Sequence, residues 1–444
     1  MTAKSAKTFR LLRRFESPNV TFIEPGGSWP IVWERAKGTR VWDLDGKEYV
    51  DFTAAFGVAA AGHSNARVVA AGTRQMGKLL HAMGDVHPHE LKGQLARELS
   101  RLTFERWGRT GRRTTGKAIF CNSGFEAVEA ALKTVLLATK RPGLIAFDGA
   151  YHGTGYGALN ATHREHFRKP FLGQLGGFGA FLPFPSKPSD LASLEQQLRG
   201  HMRRRRIGAV LLEPIQVRGG IRIPPRGFLP MLRRVCDQER ALLILDEIYT
   251  GFGRTGRWFA CEHSWTTPDL ICLGKALTGG FPLSVCLGRA DLMDAAWPPS
   301  TGEAIHTSTF LGHPVGCAMA LAQMKEIQRR DLVNRSTAQG AVLLAALREL
   351  QAPNAYRLEA RGLGLLVGLE IRDLDARPAT AFALQVVKRL LHSGFIVLPE
   401  GEHSNVIGFT PPLTITGSEV QRMVGALQQV LLETRQLHAR NKAG

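Results

Sequence analysis

The run ALLIL at residues 241–245, followed at once by Asp246 and Glu247, restricts the fold more than any other stretch of the chain. Five consecutive apolar residues do not suit a strand with one wet face, because side chains alternate between faces. Both faces must be covered, as in a parallel sheet layered between helices. A carboxylate directly after such a strand sits at its carboxyl end, where open α/β sheets bind ligands. The arrangement recurs on either side: residues 209–212 (AVLL) end in Glu213, and DLICLGKALTGG places Lys275 just past Cys272 and Leu273.

One strand end thus offers an acid and another an amine. Alone, each reads as a helix cap or a solvated charge. A third strand, 118–121, breaks at Asn122-Ser123-Gly124 before a helix with apolar residues at Val128, Ala131, Leu132 and Val135. Ser123 and Glu126 have the spacing of a capping box. The Ser123 hydroxyl and the free amides of Gly124 and Phe125 would together hold an anion such as a phosphate. A fourth strand, 144–147, leads to Tyr151 and His152, where an aromatic ring can cover a planar group. An amine for a Schiff base, a carboxylate to keep a ring nitrogen protonated and a phosphate site together suggest pyridoxal phosphate.

The 444 residues allow two or three domains, and no apolar run is long enough to span a membrane. The six cysteines form no CxxC pair and fall partly in apolar runs, so buried thiols in a reducing compartment are expected, with neither disulfides nor zinc. His87-Pro88-His89 reads as a Pro-bent loop, and no metal site is expected. The net charge of +19 concentrates at 201–206 (HMRRRR) and 108–113 (GRTGRR). Neither cluster carries interleaved aromatics or a nucleic-acid module, so the expectation is a solvated surface, with no nucleic acid and no membrane as partner. Residues 1–15 are basic and acid-free, as in a transit peptide, but lack an apolar signal core; the expected location is the cytoplasm.

Along the chain, 20–52 reads as extended, with Asp45-Gly46 as a type I′ hairpin signal outside the main sheet. Residues 59–83 read as a loop with Gly62 and His63 leading into a helix, 171–189 as a loop excursion, and 283–288 as an antiparallel strand. Thr309 lies in a polar turn before a small-residue helix. An amphipathic segment at 331–350, a strand at 361–371, a helix at 382–392 and the stretch from VIGFTPPLTIT to residue 436 complete a C-terminal α+β unit. The expected division is 1–58, 59–330 and 331–444.

With NSGFEAVEAALK, YHG, EPIQ, DEIYTGFGRTG, GKALTGG, STFLGHP and PPLTIT in that order, the chain resembles the class III (ω-amino acid type) aminotransferases, a branch of the fold type I pyridoxal phosphate enzymes. The resemblance implies an α/β fold: a mostly parallel central sheet in a large domain, and a smaller α+β domain from the N- and C-terminal segments. It implies Lys275 as covalent anchor and proton carrier, and Asp246 on the pyridinium nitrogen. Ile248 and Tyr151 would lie on the two ring faces, with His152 beside them and Glu213 behind Asp246. Ser123, Gly124 and Phe125 would bind the phosphate, joined by Thr309 from the second subunit of a homodimer. The substrates would be an ω-amine, amino sugar or amino acid and a keto acid. An aminomutase or decarboxylating transaminase would use the same pair, and a non-catalytic basic dimer is the remaining reading.

Four positions depart from the family pattern, two of them as a pair. Tyr249 stands for a glutamine, His313 for an asparagine, and Gly408 with Arg218 for an arginine clamp and its glutamate partner. Arg218, Phe56 and Gly408 are the substrate-side candidates: either Arg218 takes over a carboxylate, or the site admits an amine without an α-carboxylate, or Arg218 is a solvated loop residue.

Overall fold

The computed structural model describes residues 3–24, 29–108 and 114–443. Of the basic cluster 108–113, all but Gly108 lies outside the described residues. Three sheets organise the chain. The first is built by β1 (Trp33–Lys37), β2 (Arg40–Asp43) and β3 (Glu48–Asp51). The main sheet comprises β4 (Gly116–Cys121), β5 (Gly143–Phe147), β6 (Gly179–Leu182), β7 (Ile207–Leu212), β8 (Leu242–Asp246), β9 (Leu270–Leu273) and β10 (Ser284–Arg289). The third uses β11 (Tyr356–Leu363), β12 (Leu366–Asp373), β14 (Leu398–Glu400) and β15 (Val406–Phe409), while β13 (Phe395–Ile396) pairs in parallel with β3. The first sheet therefore joins the two ends of the chain.

The main sheet has the order β4-β10-β9-β8-β7-β5-β6, and only β10 runs against its neighbours, as expected for that segment. The apolar runs are continuous because each strand feeds two cores. In β8, Leu243 and Leu245 join the core on one face and Ile244 the core on the other. Full burial of each such side chain stabilises by roughly 1.5–3 kcal/mol, which leaves no polar alternative at these positions. The second core is capped by the helix Gly124–Thr139, which buries Ala127, Val128, Ala131 and Val135.

Three local expectations need correction. Asp45-Gly46 turns the chain, but only Gly46 takes a positive φ, and Asp43 Oδ1 accepts from the amides of both Asp45 and Lys47; the turn is not type I′. The segment 171–189 contains β6, an edge strand paired with β5, whose short length gave too few alternations to see. Residues 361–371 are not one strand but parts of β11 and β12, reversed at Gly364, whose φ is +55°. The basic N-terminal stretch forms a helix, Ala3–Phe15. The six cysteines are free and buried. Among the described residues no helix is long and apolar enough to cross a membrane, and no cluster of ligating side chains could hold a metal ion.

Candidate active site

Because β10 is the only reversed strand, the carboxyl ends of β4, β5, β7, β8 and β9 share one edge of the main sheet. A cavity of about 420 Å³ opens there, lined by Gly124, Phe125, Tyr151, His152, Glu213, Arg218, Asp246, Ile248 and Lys275 among others. Nine of the residues singled out from the sequence therefore meet around one space.

Asp246 ends β8 with its side chain fixed from two sides. Its Oδ1 accepts from the Ile248 amide at 3.1 Å, and His152 Nδ1 lies 2.7 Å from Oδ2. An ionised carboxylate only accepts, so His152 carries its proton on Nδ1. The sequence placed His152 near the site without showing this bond. Glu213 accepts from the amides of Tyr151 at 3.0 Å and Val217 at 3.2 Å, tying the ends of β5 and β7 together.

Lys275 follows β9 at φ +44°, a conformation costly for a lysine and maintained by the surrounding turn. Its Nζ lies 4.0 Å from the centroid of the Tyr249 ring. Burial lowers its pKa to about 8, against the opposing pull of Asp246, Glu213 and Glu400. The lowered pKa makes the unprotonated amine, the form a proton acceptor requires, easier to reach near neutral pH than for an exposed lysine. The Tyr249 hydroxyl pairs with Thr410 Oγ1 at 3.1 Å. The ring reaches this position because Gly57 has no side chain: a Cβ there would stand 2.8 Å from Tyr249 Cε1.

At the end of β4 the expected capping box does not form. Glu126 accepts from the Asn122 amide at 2.7 Å rather than from Ser123, and the Ser123 hydroxyl caps nothing. Its Oγ is buried without a hydrogen-bond partner. The helix Gly124–Thr139 therefore presents uncapped amides and an unpaired hydroxyl, which fits a phosphate better than it fits a closed cap. Gly124 lies close against Ile248, since a Cβ would approach Ile248 Cδ1 to 3.1 Å.

Four expected residues do not line the cavity; Ser123 sits just behind it, between the lining residues Asn122 and Gly124. Thr309 is exposed and does not line the cavity of its own chain. Phe56 is half exposed and Val58 lines the wall instead. Gly408 lies within β15, where a Cβ would stand 3.0 Å from Glu400 Cγ. Glu400 is the site residue that sequence reading missed, because a lone acid in LPEGEHS carries no periodicity or motif. His313 caps the helix Pro314–Arg329, its Nδ1 accepting from the Val315 amide at 3.3 Å, so it performs a turn residue's task.

Burial pushes the carboxyl groups of Glu213 and Glu400 up to about 7. Their ordinary value is near 4.5, so between roughly pH 4.5 and 7 the folded chain binds more protons than the unfolded one. Their contribution is full below that window and is lost as pH rises through it. Shielded His263 and His306, held below the usual histidine range mainly by burial, act in the opposite sense with smaller shifts. Thermal unfolding of the cofactor-free protein is expected to show Tm falling from about pH 5 to about pH 7, with a shallower slope in Glu213→Gln. A Tm that climbs through this window, unchanged by the substitution, would contradict the assignment.

The family profile described as Aminotransferase class-III matches residues 23–431. The chain belongs to the class III aminotransferases. It is 36% identical over 408 residues to the 5-aminovalerate aminotransferase DavT of Pseudomonas aeruginosa, covering 90% of this chain and 93% of that protein. It is 35% identical to the putrescine aminotransferase of Pectobacterium atrosepticum, covering 97% and 90% respectively. The omega transaminase of Pseudomonas jessenii in complex with PMP superposes with a TM-score of 0.88 at 25% identity, covering 98% of this chain and 99% of that one. An amine transaminase from an uncultivated Pseudomonas species in its PLP-bound form gives 0.85 at 28% identity, covering 95% and 99%.

This class III aminotransferase is accordingly a fold type I, pyridoxal phosphate-dependent transaminase. It moves an amino group between an amine or amino acid and a keto acid or other carbonyl acceptor. The free Ser123 hydroxyl, the apolar Ile248 wall and the buried Asp246 and Lys275 side chains fit that cofactor.

Proposed function

We propose that Lys275 and Asp246 are the catalytic pair of this transaminase, and that its donor is a primary amine at the end of a chain. The observation that carries the pair is their placement at the ends of adjacent parallel strands, β9 and β8, facing one cavity. Pyridoxal phosphate, when bound, supplies the carbonyl for covalent attachment and the ring that takes up charge from the substrate carbon. Ser123 Oγ and the amides of Gly124 and Phe125 hold its phosphate. Ile248 and Tyr151 cover its ring faces, with His152 alongside. Asp246 keeps the ring nitrogen protonated, and His152 keeps Asp246 aimed at it. Lys275 Nζ would serve as covalent anchor and, once free, as the base and acid that moves a proton from and back to the substrate. Glu213 holds Tyr151 in place. A scan of the purified protein tests the pair: an absorbance band near the visible edge should bleach on adding a donor amine and recover with a keto acid.

Thr309 is exposed and away from the cavity of its own chain, and in this reading it completes the phosphate site of a second copy, in a homodimer with shared sites. Six free buried thiols support a cytoplasmic location. The sheets support a large cofactor domain at 59–330 flanked by the segments 1–58 and 331–444.

Arg218 lines the cavity with its guanidinium carbon 5.7 Å from the Tyr151 ring centroid, and in this reading it binds the carboxylate of the keto acid. Arg218→Ala should raise KM for pyruvate by about tenfold or more, the worth of a charged hydrogen bond, with little change for an alkylamine. Equal changes for both substrates would leave the carboxylate site elsewhere.

A further inference from the structure

Arg218 and Glu400 form an unusual pair. Glu400, at the end of β14, is only 4% exposed, and its Oε2 is buried without a hydrogen bond. Arg218 Nε is likewise buried and unbonded, 3.9 Å from that oxygen. The two charges attract without being locked together. Their backbones are joined, since the Gly401 amide donates to the Arg218 carbonyl at 3.1 Å. Glu400 does not line the cavity, so it faces the inner edge of the guanidinium while Arg218 faces the substrate. The missing side chain at Gly408 makes the room for it: the Cγ of Glu400 occupies the space any Cβ would crowd.

A transaminase cavity must admit two substrates of opposite charge in turn. A lone arginine in a shielded cavity attracts a keto acid and repels an ammonium group. We propose that Glu400 is a specificity-determining counter-charge, whose buried carboxylate balances Arg218 so that one cavity accepts both a cationic amine donor and an anionic acceptor. This rests on the reading of Arg218 as the acceptor's partner. Around Glu400 stand Arg218 after β7, Lys275 after β9, Arg164 from the loop beyond β5, Glu213 at the end of β7 and Tyr249 after β8. Burial holds the carboxyl at about 7, so it gains a proton under mildly acidic conditions and the balance then fails.

The test is a charge ladder of donors of similar length, butane-1,4-diamine, pentylamine and 5-aminopentanoate, each with pyruvate on the holoenzyme. In Glu400→Gln, KM should rise about tenfold for the diamine and about threefold for pentylamine, and stay flat for 5-aminopentanoate, while KM for pyruvate does not rise. In the wild type the KM ratio of diamine to 5-aminopentanoate should climb from about pH 8 to about pH 6, and in Glu400→Gln it should be level. Both donors keep their charges over that range, so the ratio reports the protein. The double variant Arg218→Gln/Glu400→Gln removes both charges and should restore the wild-type ladder, which also covers poor folding of the single variant. Equal KM changes for all three donors, or a wild-type ratio independent of pH, would overturn the proposal. If Arg218→Ala leaves pyruvate unaffected while the ladder still tilts in Glu400→Gln, the acceptor assignment falls and the counter-charge stands.

Discussion

Lys275→Ala is expected to fold normally and to lose turnover by about ten-thousandfold or more, since one side chain serves as both covalent anchor and proton carrier. The fold should survive because Lys275 sits in a turn beyond β9, and the cores above and below the sheet are made by its neighbours. The substitution also relieves a positive φ only in part, as alanine shares the constraint. Two measurements check it. Turnover of butane-1,4-diamine with pyruvate should vanish, and borohydride reduction followed by peptide mapping should find cofactor attached at Lys275 in the wild type and nowhere in the variant. Wild-type turnover without an added amine would sink the assignment.

Asp246→Asn is expected to retain cofactor while losing about a hundredfold or more in kcat, because a neutral amide does not hold a proton on a ring nitrogen. The bonds around Asp246 make this a clean substitution. An asparagine oxygen can still accept from the Ile248 amide or from His152, so the geometry is kept while the charge is removed. The loss should fall on kcat for every donor alike, unlike the donor-dependent KM effects expected at Glu400. Unchanged kcat would transfer the role to another acid in the cavity, with Glu213 next in line.

Much of this site was legible before any coordinates. Asp246, Glu213 and Lys275 were visible because a doubly covered strand must be apolar throughout, so the first charge after it marks the strand end. The phosphate end was visible at Ser123-Gly124-Phe125, where a strand, a glycine and a helix meet. What stayed hidden depended on contacts between distant segments. The His152–Asp246 bond joins the ends of β5 and β8, and no local pattern announces it. Glu400 is invisible for the same reason, since its meaning comes from Arg218, far away in sequence, and from the emptiness of Gly408. The hairpin of β11 and β12 was read as one strand because its reversal takes only Gly364 and Leu365, inside a stretch that is apolar from Leu363 to Leu369. Thr309 was placed by resemblance, and its exposure on a single chain is consistent with that placement without testing it.

The reversed strand β10 also sets an order of events during synthesis. Strand β4 carries the phosphate end of the cavity and is the first strand of the main sheet to be made, yet its partner in the sheet is β10, which pairs Ser284 with Cys121. The strands β5 to β9 can find one another as they emerge, and the helix Gly124–Thr139 can pack on β7, β8 and β9, whereas β4 has no partner in the sheet until β10 is made. Such long-range pairing is slow, because loop closure comes before any compensating contact. The β4 edge of the site is therefore assembled last, and a nascent chain halted before residue 284 would hold Asp246 and Lys275 at their strand ends with β4 still unpaired.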